Sequence, residues 1–437
     1  MFSDRSIFDA MFDASGQPLS PLTNNLELAT PNLSLPSLSN YTQPVDILQS
    51  KDENLLADLA SENQSASLNS STSLRDSQSK SSDSLTGMPT LDSVFLVDVS
   101  DSPLEDRGIA HDRSASLMAD DSIWQVISAN PSLMRYYSRS VSVDRNNGAV
   151  GLNQQEYISV GLQRHSSELI AYGLLTKDTG LIDTGIKVLE YSFNYQQPDG
   201  SFRTTPQSIT AGSAAQDGAF FYYDLGYSML LLKDSQWFQT ASETESLRSR
   251  ADNLQDPAKT SLTWLVGREP VLIEKDRSGT NRLFYDANAY YLVGKATGRS
   301  DALKLGDSFA RRALQQQASE GFFVERGGYD SSYNAVSLRQ AILLYTNLKS
   351  DATSLKQDLG KAIEKSVAWQ LTRIAPTGEV LTEGNTRIKP IGEQYTLTGT
   401  VKKVDYKEVV LALDYYAKLS GDAVAQDAAN RVRNYRP

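Results

Sequence analysis

A tight turn that recurs three times is the feature that most constrains the fold of this chain. Each copy places a glycine beside an aromatic or β-branched residue, and the copies read QPDGSF (197–202), ASEGFF (318–323) and PTGEV (376–380). The second and third glycines are 57 residues apart, and the first and second are 121 apart, roughly two such units. A period of this length is too long for one helix and suits a helical hairpin with its loops. The sequence therefore predicts an array of helix pairs.

The first 115 residues differ from the rest of the chain in composition. They contain no Trp, one of the 21 Tyr, and 17 acidic residues against 6 basic ones, so they carry the whole net charge of −11. An acidic segment rich in Ser and Asn buries too little apolar surface to offset its chain entropy, and we predict that residues 1–115 are largely disordered. Residues 116–437, which are close to neutral, are predicted to form one domain with a large core.

Several classes of protein are disfavoured by what the sequence lacks. The chain has no Cys, which removes disulfides and thiolate zinc sites, and we expect no metal and no organic cofactor. The sequence contains no run of 18 apolar residues, so we expect no transmembrane segment. The sequence contains no basic stripe, no P-loop and no dinucleotide turn, so we expect no nucleic-acid or nucleotide partner. No ordinary signal peptide is visible, yet the lack of Cys fits an exported bacterial protein, so we expect an extracellular or cell-envelope location.

Apolar residues recur at helical spacing from Ser122 onward and predict the helix pairs in detail. A first helix is expected at 154–175 with a partner near 181–193, and an additional helix, interrupted at Pro131, is expected near 121–138. The later pairs are predicted at 216–232 with 236–267, 284–297 with 300–317, 331–348 with 352–373, and 405–419 with 422–434.

The two helices of each predicted pair differ in composition. The first is richer in Tyr, Ala and other small residues, as at 285–291, whereas the second carries more charge, as at 356–365. Small and aromatic side chains suit a crowded inner layer, and Lys and Glu suit a solvated outer face. The sequence therefore predicts an all-α fold, a closed double ring of about five to six helical hairpins.

Tyr-rich first helices, together with the loop sequences DGSF (199–202) and GGYDSSYN (327–334), make the chain resemble the (α/α) toroid. Six-hairpin glycoside hydrolases and the toroid polysaccharide lyases of the alginate-lyase and heparinase type share this fold, and the resemblance covers roughly residues 120–437. It implies that the substrate lies in a cleft at one end of the ring, where loops lead into the inner helices. Terpene cyclases, prenyltransferase β-subunits and lanthionine cyclases share related topologies, but this chain has neither an Asp-x-Asp-Asp run nor the Cys ligands of their zinc sites.

Four aspartates stand where inner helices are predicted to start. They are Asp217, Asp286, Asp330 and Asp405, and Glu408 follows the last of them at the spacing of a capping box. The simplest interpretation is that each is an N-cap that accepts a backbone N–H of the first turn. Because an N-cap of an inner helix also faces the mouth of the ring, a role in catalysis is compatible with capping.

Two loop acids follow the recurrent turns and each has an arginine nearby. Glu325 comes four residues after the second recurrent glycine with Arg326 beside it, and Glu383 comes five residues after the third with Arg387 close by. A glycosidase needs two carboxyl groups roughly 5–10 Å apart, one of them protonated. We therefore predict Glu325 with Asp330, or Glu325 with Glu383, as acid and base. The alternative is a set of surface ion pairs, which contribute little to stability.

The resemblance to lyases implies a second set of candidates. Toroid lyases use a Tyr or His to take the proton next to a uronate carboxyl, and Asn, His or Arg neutralises that carboxyl. Tyr333 and His165 are the predicted catalytic residues in this case, and Asn334 and Arg326 the predicted binding residues. His165 is expected inside the first inner helix, where a packing role is the alternative. The near-neutral core favours a hydrolase or a neutral glycan over a highly sulfated substrate.

Aromatic residues complete the predicted site. Tyr285 and Tyr329 lie on or beside inner helices and, with Arg387, are predicted to bind substrate, because aromatic rings stack on sugar faces. The alternative is that these rings pack the interior. The sequence thus predicts a glycoside hydrolase or polysaccharide lyase acting on an extracellular or envelope polysaccharide. The alternative function is a non-catalytic toroid that binds glycan or protein at the cell surface.

Overall fold

The computed structural model describes residues 127, 134, 135 and 138 and the ranges 141–205, 213–348, 353–395 and 399–435. The predictions for residues 1–115, and most of the helix predicted near 121–138, lie outside the described residues. The described part is all-α: it contains isolated β-bridges but no strand. None of its helices is long and apolar enough to cross a membrane.

Thirteen α-helices are present in the described ranges, and they are numbered here in chain order. They are α1 (Ser166–Thr176), α2 (Thr179–Phe193), α3 (Ala214–Asp234), α4 (Gln236–Thr240), α5 (Glu245–Asn253), α6 (Gln255–Val266), α7 (Glu269–Asp276), α8 (Thr280–Thr297), α9 (Ser300–Leu314), α10 (Ser331–Asn347), α11 (Thr353–Thr372), α12 (Tyr406–Ser420) and α13 (Ala423–Asn434). Short 3-10 turns occupy Gly151–Gln154, Val160–Leu162 and Ser242–Thr244.

Five of these helices form an inner layer. Helix α1 packs on α3, α3 on α8, α8 on α10, and α10 on α12. Burial separates the layers clearly, since fifteen of the eighteen residues of α8 are buried but only five of the fifteen residues of its partner α9. The difference follows from composition, as the sequence predicts: α8 is rich in Tyr, Ala and Asn, whereas α9 alternates apolar and charged residues.

The outer helices pair with the inner ones and with each other. The hairpin partners α1 and α2, α8 and α9, α10 and α11, and α12 and α13 pack together, and α6 packs on α3 and α8. In the outer layer α6 contacts α9, α9 contacts α11, and α11 contacts α13. The predicted order of helix pairs is therefore observed.

The helices differ from the prediction in three respects. The helix expected at 236–267 is divided into α4, α5 and α6, and α7 was not predicted at all. Helix α1 begins at Ser166 rather than near 154. The preceding segment is held by side chains instead of helical hydrogen bonds, since Asn153 Oδ1 accepts the N–H of Ile158 and its Nδ2 donates to the carbonyl of Ser159. His165 then adopts a positive φ of 88°, which ends that segment and starts the helix.

The recurrent glycine turns fasten one outer helix to the next. Gly200, Gly321 and Gly378 have φ values of 89°, 104° and 90°, a region that disfavours side chains. A Cβ atom at these glycines would lie 2.2–2.5 Å from a backbone carbonyl oxygen of α6, α11 and α13, respectively. Gly148 makes the same contact with α2, at 2.1 Å. The sequence analysis did not identify this fourth turn.

Candidate active site

The N-terminal turns of the inner helices lie close together. The hydroxyl of Ser332, in the first turn of α10, accepts the backbone N–H of Asp405 at the start of α12, at 3.0 Å. On the other side, Phe220 of α3 packs against Arg164, just before α1, and Arg282 in the first turn of α8. The loops that follow the outer helices join this end, since Arg326 N donates to Ser278 O at 2.8 Å. The starts of α8, α10 and α12 and the segment around Arg326 therefore lie near one another.

A network around one guanidinium lies at this end, and we call it the Arg387 cluster: Arg387, Glu325, Glu393, Lys402 and Arg326. Arg387 donates through Nη1 to Glu325 Oε1 at 2.5 Å and through Nε and Nη2 to Glu393 at 2.5 and 2.9 Å. Lys402 Nζ and Arg326 Nη1 lie 2.5 and 3.3 Å from the Glu393 carboxylate. Three of the predicted site residues, Glu325, Arg326 and Arg387, therefore meet here.

The two carboxyl groups of the Arg387 cluster are shifted in opposite directions. Burial raises the pKa of Glu325, which is 2% exposed, and outweighs the opposing effect of Arg387. Burial also opposes ionisation of Glu393, but hydrogen bonds from Arg387 and Lys402 prevail and lower its pKa to about 2. Glu325 Oε2 is buried without a hydrogen-bond partner among the described residues. Glu325 therefore favours the protonated form more than Glu393 does.

Tyr333 lies directly beneath this cluster. The Cζ atom of Arg387 is 3.7 Å from the centroid of the Tyr333 ring, and Lys402 Nζ donates to the Tyr333 hydroxyl at 3.3 Å. Burial raises the pKa of Tyr333 and lowers the pKa of Lys402. The phenol is therefore held neutral beside two cations, in a position to donate or relay a proton.

Asp330 is occupied by backbone contacts. Its Oδ1 accepts the N–H groups of Ser332 and Tyr333, both at 3.1 Å, which makes it the N-cap of α10. Its Oδ2 accepts the N–H groups of Arg387 and Ile388 at 2.9 and 2.8 Å. The Oδ1 contacts cap α10 and the Oδ2 contacts hold the loop that carries Arg387, so Asp330 positions this loop against α10 rather than facing a substrate.

Asn334 is likewise committed to packing contacts. Its Oδ1 accepts the N–H of Phe323 at 2.9 Å, and its Nδ2 donates to Gln370 Oε1 at 2.9 Å. The residue is fully buried. It joins the second recurrent turn to α10 and α11, and the predicted role in substrate binding does not match this position.

Glu383 and Tyr329 lie outside the Arg387 cluster. Glu383 is exposed, and its backbone carbonyl accepts hydrogen bonds from the Tyr329 hydroxyl at 3.1 Å and from Arg373 Nη2 at 2.6 Å. The Tyr329 ring packs on Phe322 and Trp369, with centroids 5.6 and 5.5 Å apart. The structure therefore does not bring the predicted pair of Glu325 and Glu383 carboxyl groups into one cluster.

A second network, the Arg339 cluster, contains Arg339, Glu168, Glu408 and His165. Arg339 of α10 donates to Glu408 of α12 at 2.6 Å and to Glu168 of α1 at 3.4 Å. His165 Nδ1 lies 3.2 Å from Glu168 Oε1. Burial raises the pKa of Glu408, whereas His165 and Arg339 lower that of Glu168 although burial opposes them. His165 thus belongs to a different network from Glu325.

Tyr285 lies near Glu408 and Arg339 of the Arg339 cluster. It is buried, and its ring packs on Phe220 and Tyr223 with centroids 4.9 and 5.0 Å apart. Burial and the nearby Glu408 carboxyl raise the pKa of Tyr285 to about 12. The described contacts of the Tyr285 ring are therefore packing contacts, and none of them indicates substrate binding.

Of the other three aspartates predicted to be N-caps, only Asp405 is one. Asp405 is the N-cap of α12 and accepts the N–H of Glu408 at 3.1 Å. Asp217 lies in the first turn of α3, and Asp286 lies inside α8, whose N-cap is Gly279. Burial raises the pKa of Asp286, and the neighbouring Asp276 carboxyl raises it further.

Sequence reasoning missed Glu393, Lys402, Arg164 and Arg282. The first two lie in a loop without helical periodicity, where nothing in the sequence separates them from surface charges. Arg282 does carry a signal, because an arginine in the first turn of a helix is unfavourable next to the positive end of the helix dipole.

No set of three or more His, Asp or Glu residues in the described ranges is arranged to hold a metal ion. Comparison of the chain with protein-family models, with curated proteins and with solved structures finds no match. The case for a function therefore depends on the side chains at the N-terminal ends of the inner helices.

Proposed function

We propose that this protein is a carbohydrate-active enzyme, a glycoside hydrolase or polysaccharide lyase, that acts on an extracellular or envelope polysaccharide. The observation that carries the proposal is that Arg387 holds two carboxyl groups with oppositely shifted pKa values, upward for Glu325 and downward for Glu393. Titratable groups that their environments drive apart in this way are typical of paired acids and bases.

In a hydrolase the two carboxyl groups take different roles. Glu325, protonated, donates its proton to the glycosidic oxygen as the bond to the leaving group breaks. Glu393, ionised, acts on the other side as the base that activates water or as the nucleophile. Arg387 sets the orientation of both groups, and Tyr333 supports Arg387 from below.

In a lyase Tyr333 is the residue that takes the proton next to a uronate carboxyl. Lys402 favours that role, since its ammonium group donates to the Tyr333 hydroxyl. Burial opposes it, because the raised pKa of Tyr333 makes the phenolate scarce at neutral pH. The contacts therefore support the hydrolytic roles better than the eliminative ones.

We also propose that the inner helices close into an (α/α) toroid. Arg339 supports this arrangement, because it extends from α10 to Glu168 on α1 and to Glu408 on α12. The first and last inner helices thus contact the same guanidinium, as expected if the chain returns to its start around a common axis. A measured distance between spin labels on exposed positions of α2 and α13 tests closure, and a long separation contradicts it.

The enzyme proposal is tested by incubating the full chain with a panel of neutral and acidic polysaccharides. New reducing ends indicate cleavage, and accompanying ultraviolet absorbance of an unsaturated uronate indicates a lyase. We expect Glu325→Gln and Glu393→Gln each to reduce kcat at least about 100-fold, the lower range for a general acid or base. The matched control is Glu383→Gln, an exposed acid of the same loop, which we expect to leave kcat unchanged. Equal activity in all three variants contradicts the assigned roles.

One observation favours the alternative, a non-catalytic toroid that binds glycan or protein. Glu325 is 2% exposed and its carboxyl is covered by Arg387, so a substrate reaches it only when Arg387 turns aside. Retardation of the unaltered chain in a gel that contains intact polysaccharide, without new reducing ends, favours binding over catalysis.

A further inference from the structure

Two arginines from different segments pack on one phenyl ring. Arg164 precedes α1 and Arg282 lies in the first turn of α8, and their Cζ atoms are 4.7 and 4.2 Å from the centroid of Phe220. Both side chains are partly buried. The ring fixes the direction of each guanidinium, because planar guanidinium groups stack on aromatic faces.

Neither guanidinium has a hydrogen-bond acceptor or an ion-pair partner among the described residues. This distinguishes them from the cations nearby, since Arg387 and Lys402 bind Glu393 and Arg339 binds Glu168 and Glu408. Each guanidinium presents five N–H donors in a fixed geometry that matches a planar carboxylate or a tetrahedral oxyanion. The N–H groups of these two guanidinium groups therefore have no acceptor among the described residues.

The acidic residues close to these arginines form no ion pair with them among the described residues. Asp276 and Asp286 lie near Arg282, and burial raises the pKa of both. Glu408 and Asp405 lie near Arg164, but Glu408 is bound to Arg339 and Asp405 accepts the N–H of Glu408 as the N-cap of α12. The two guanidinium groups are therefore not held by these carboxyl groups.

We infer that Arg164 and Arg282, packed on Phe220, form a subsite for an oxyanion substituent of a glycan, a carboxylate or a sulfate ester. This inference deepens the proposed function, on which it depends for the nature of the ligand. It names an acidic glycan, whereas composition alone favoured a neutral one. The subsite is separate from the Arg387 cluster, whose cations are already paired.

Three polymers with one backbone test the subsite. The full chain is run in native gels that contain dextran, carboxymethyl dextran or dextran sulfate, and dissociation constants are taken from the retardation. We expect a charged dextran to retard the chain and plain dextran not to. Arg164→Gln and Arg282→Gln should each weaken that binding about 10-fold or more, since a hydrogen bond to a charged group contributes roughly 1.5–3 kcal/mol.

The matched control is Arg268→Gln. Arg268 also packs on an aromatic ring, 5.4 Å from the centroid of Trp264, but it is exposed on the outer layer. Removing it changes the net charge equally, so an equal loss in all three variants means nonspecific attraction and overturns the inference. Equal retardation by plain dextran overturns it as well. Preference for the carboxymethyl or the sulfate polymer identifies the anion and supports the subsite.

The outcomes also separate this inference from the proposed function. Arginine-dependent retention of an anionic dextran, with no cleavage of any polysaccharide, supports the subsite and contradicts the enzyme. Cleavage of a polysaccharide by the wild type, together with retardation by the charged dextrans that Arg164→Gln and Arg282→Gln leave unchanged, supports the enzyme and overturns the subsite.

Discussion

Replacing the glycine of a recurrent turn should destabilise the protein through a collision with the neighbouring outer helix. Gly321 has a φ of 104°, and a Cβ atom placed on it would lie 2.5 Å from the carbonyl oxygen of Lys365 in α11. Ordinary van der Waals contact begins near 3.4 Å, so Gly321→Ala forces the turn and α11 apart by roughly 0.9 Å. The position of this Cβ is fixed by the backbone and it meets backbone atoms of Lys365, so no side-chain rotation relieves the contact.

The size of the effect is the sum of two terms. An L-residue at positive φ costs roughly 1–2 kcal/mol, and overpacking of a well-packed contact costs roughly 1–3 kcal/mol more. Gly298 isolates the first term, because it has a φ of 76° but no atom within 4 Å of its Cβ position. We therefore expect Gly298→Ala to lower the free energy of unfolding by about 1–2 kcal/mol and Gly321→Ala to lower it by about 2–5 kcal/mol.

The assay is urea unfolding of the full chain, followed by tryptophan fluorescence and extrapolated to water. Gly378→Ala and Gly200→Ala should behave like Gly321→Ala, since their Cβ positions lie 2.2 and 2.4 Å from backbone oxygens. Equal losses for Gly321→Ala and Gly298→Ala would refute the reasoning, because they would show that φ strain alone matters and that the turn does not rest on α11.

Three further variants test the buried polar contacts. Arg387→Met should lower the free energy of unfolding by roughly 3–5 kcal/mol, because it leaves the buried Glu325 carboxyl without its cation, and adding Glu325→Gln should recover part of that loss in the same urea assay. Asp286→Asn should gain stability relative to wild type as the pH rises above about 4. The folded-state pKa of Asp286 is raised, so wild type loses stability as the pH rises from the unfolded pKa through the folded one; a difference that stays constant from pH 5 to pH 8 contradicts the raised pKa. Asn334→Ala should cost about 2–4 kcal/mol because it leaves Phe323 N–H and Gln370 without partners, and unchanged KM in the surviving fold would confirm a structural role.

Local patterns in the sequence predicted the helices and the recurrent turns well. Gly200, Gly321 and Gly378 occur where the chain needs a positive φ, a requirement that composition and spacing make visible. The start of α1 was misplaced because the apolar pattern continues through 154–165, where Asn153 supplies the hydrogen bonds that a helix would otherwise make. Side-chain contacts of this kind have no periodic signature.

The candidate site was predicted only in part. Glu325, Arg326, Arg387 and Tyr333 meet because the recurrent turns carry them to the same end of the helices. The sequence could not show which carboxyl group joins Glu325 in one cluster, since Glu383 and Glu393 are the same residue type and lie in the same loop. Pairing through Arg387 depends on three-dimensional contacts that place Glu393 in the cluster and leave Glu383 exposed.

The contact between Gly378 and α13 makes the end of the chain a support for residues far from it. The turn at 376–380 rests on the backbone of Arg431, and the segment that follows the turn leads directly to Arg387. Removal of α13 should therefore speed amide hydrogen exchange at 376–393 as well as in α12, even though α13 supplies no side chain to the Arg387 cluster. This contact lets a change in α13 reach the Arg387 cluster through the turn at 376–380.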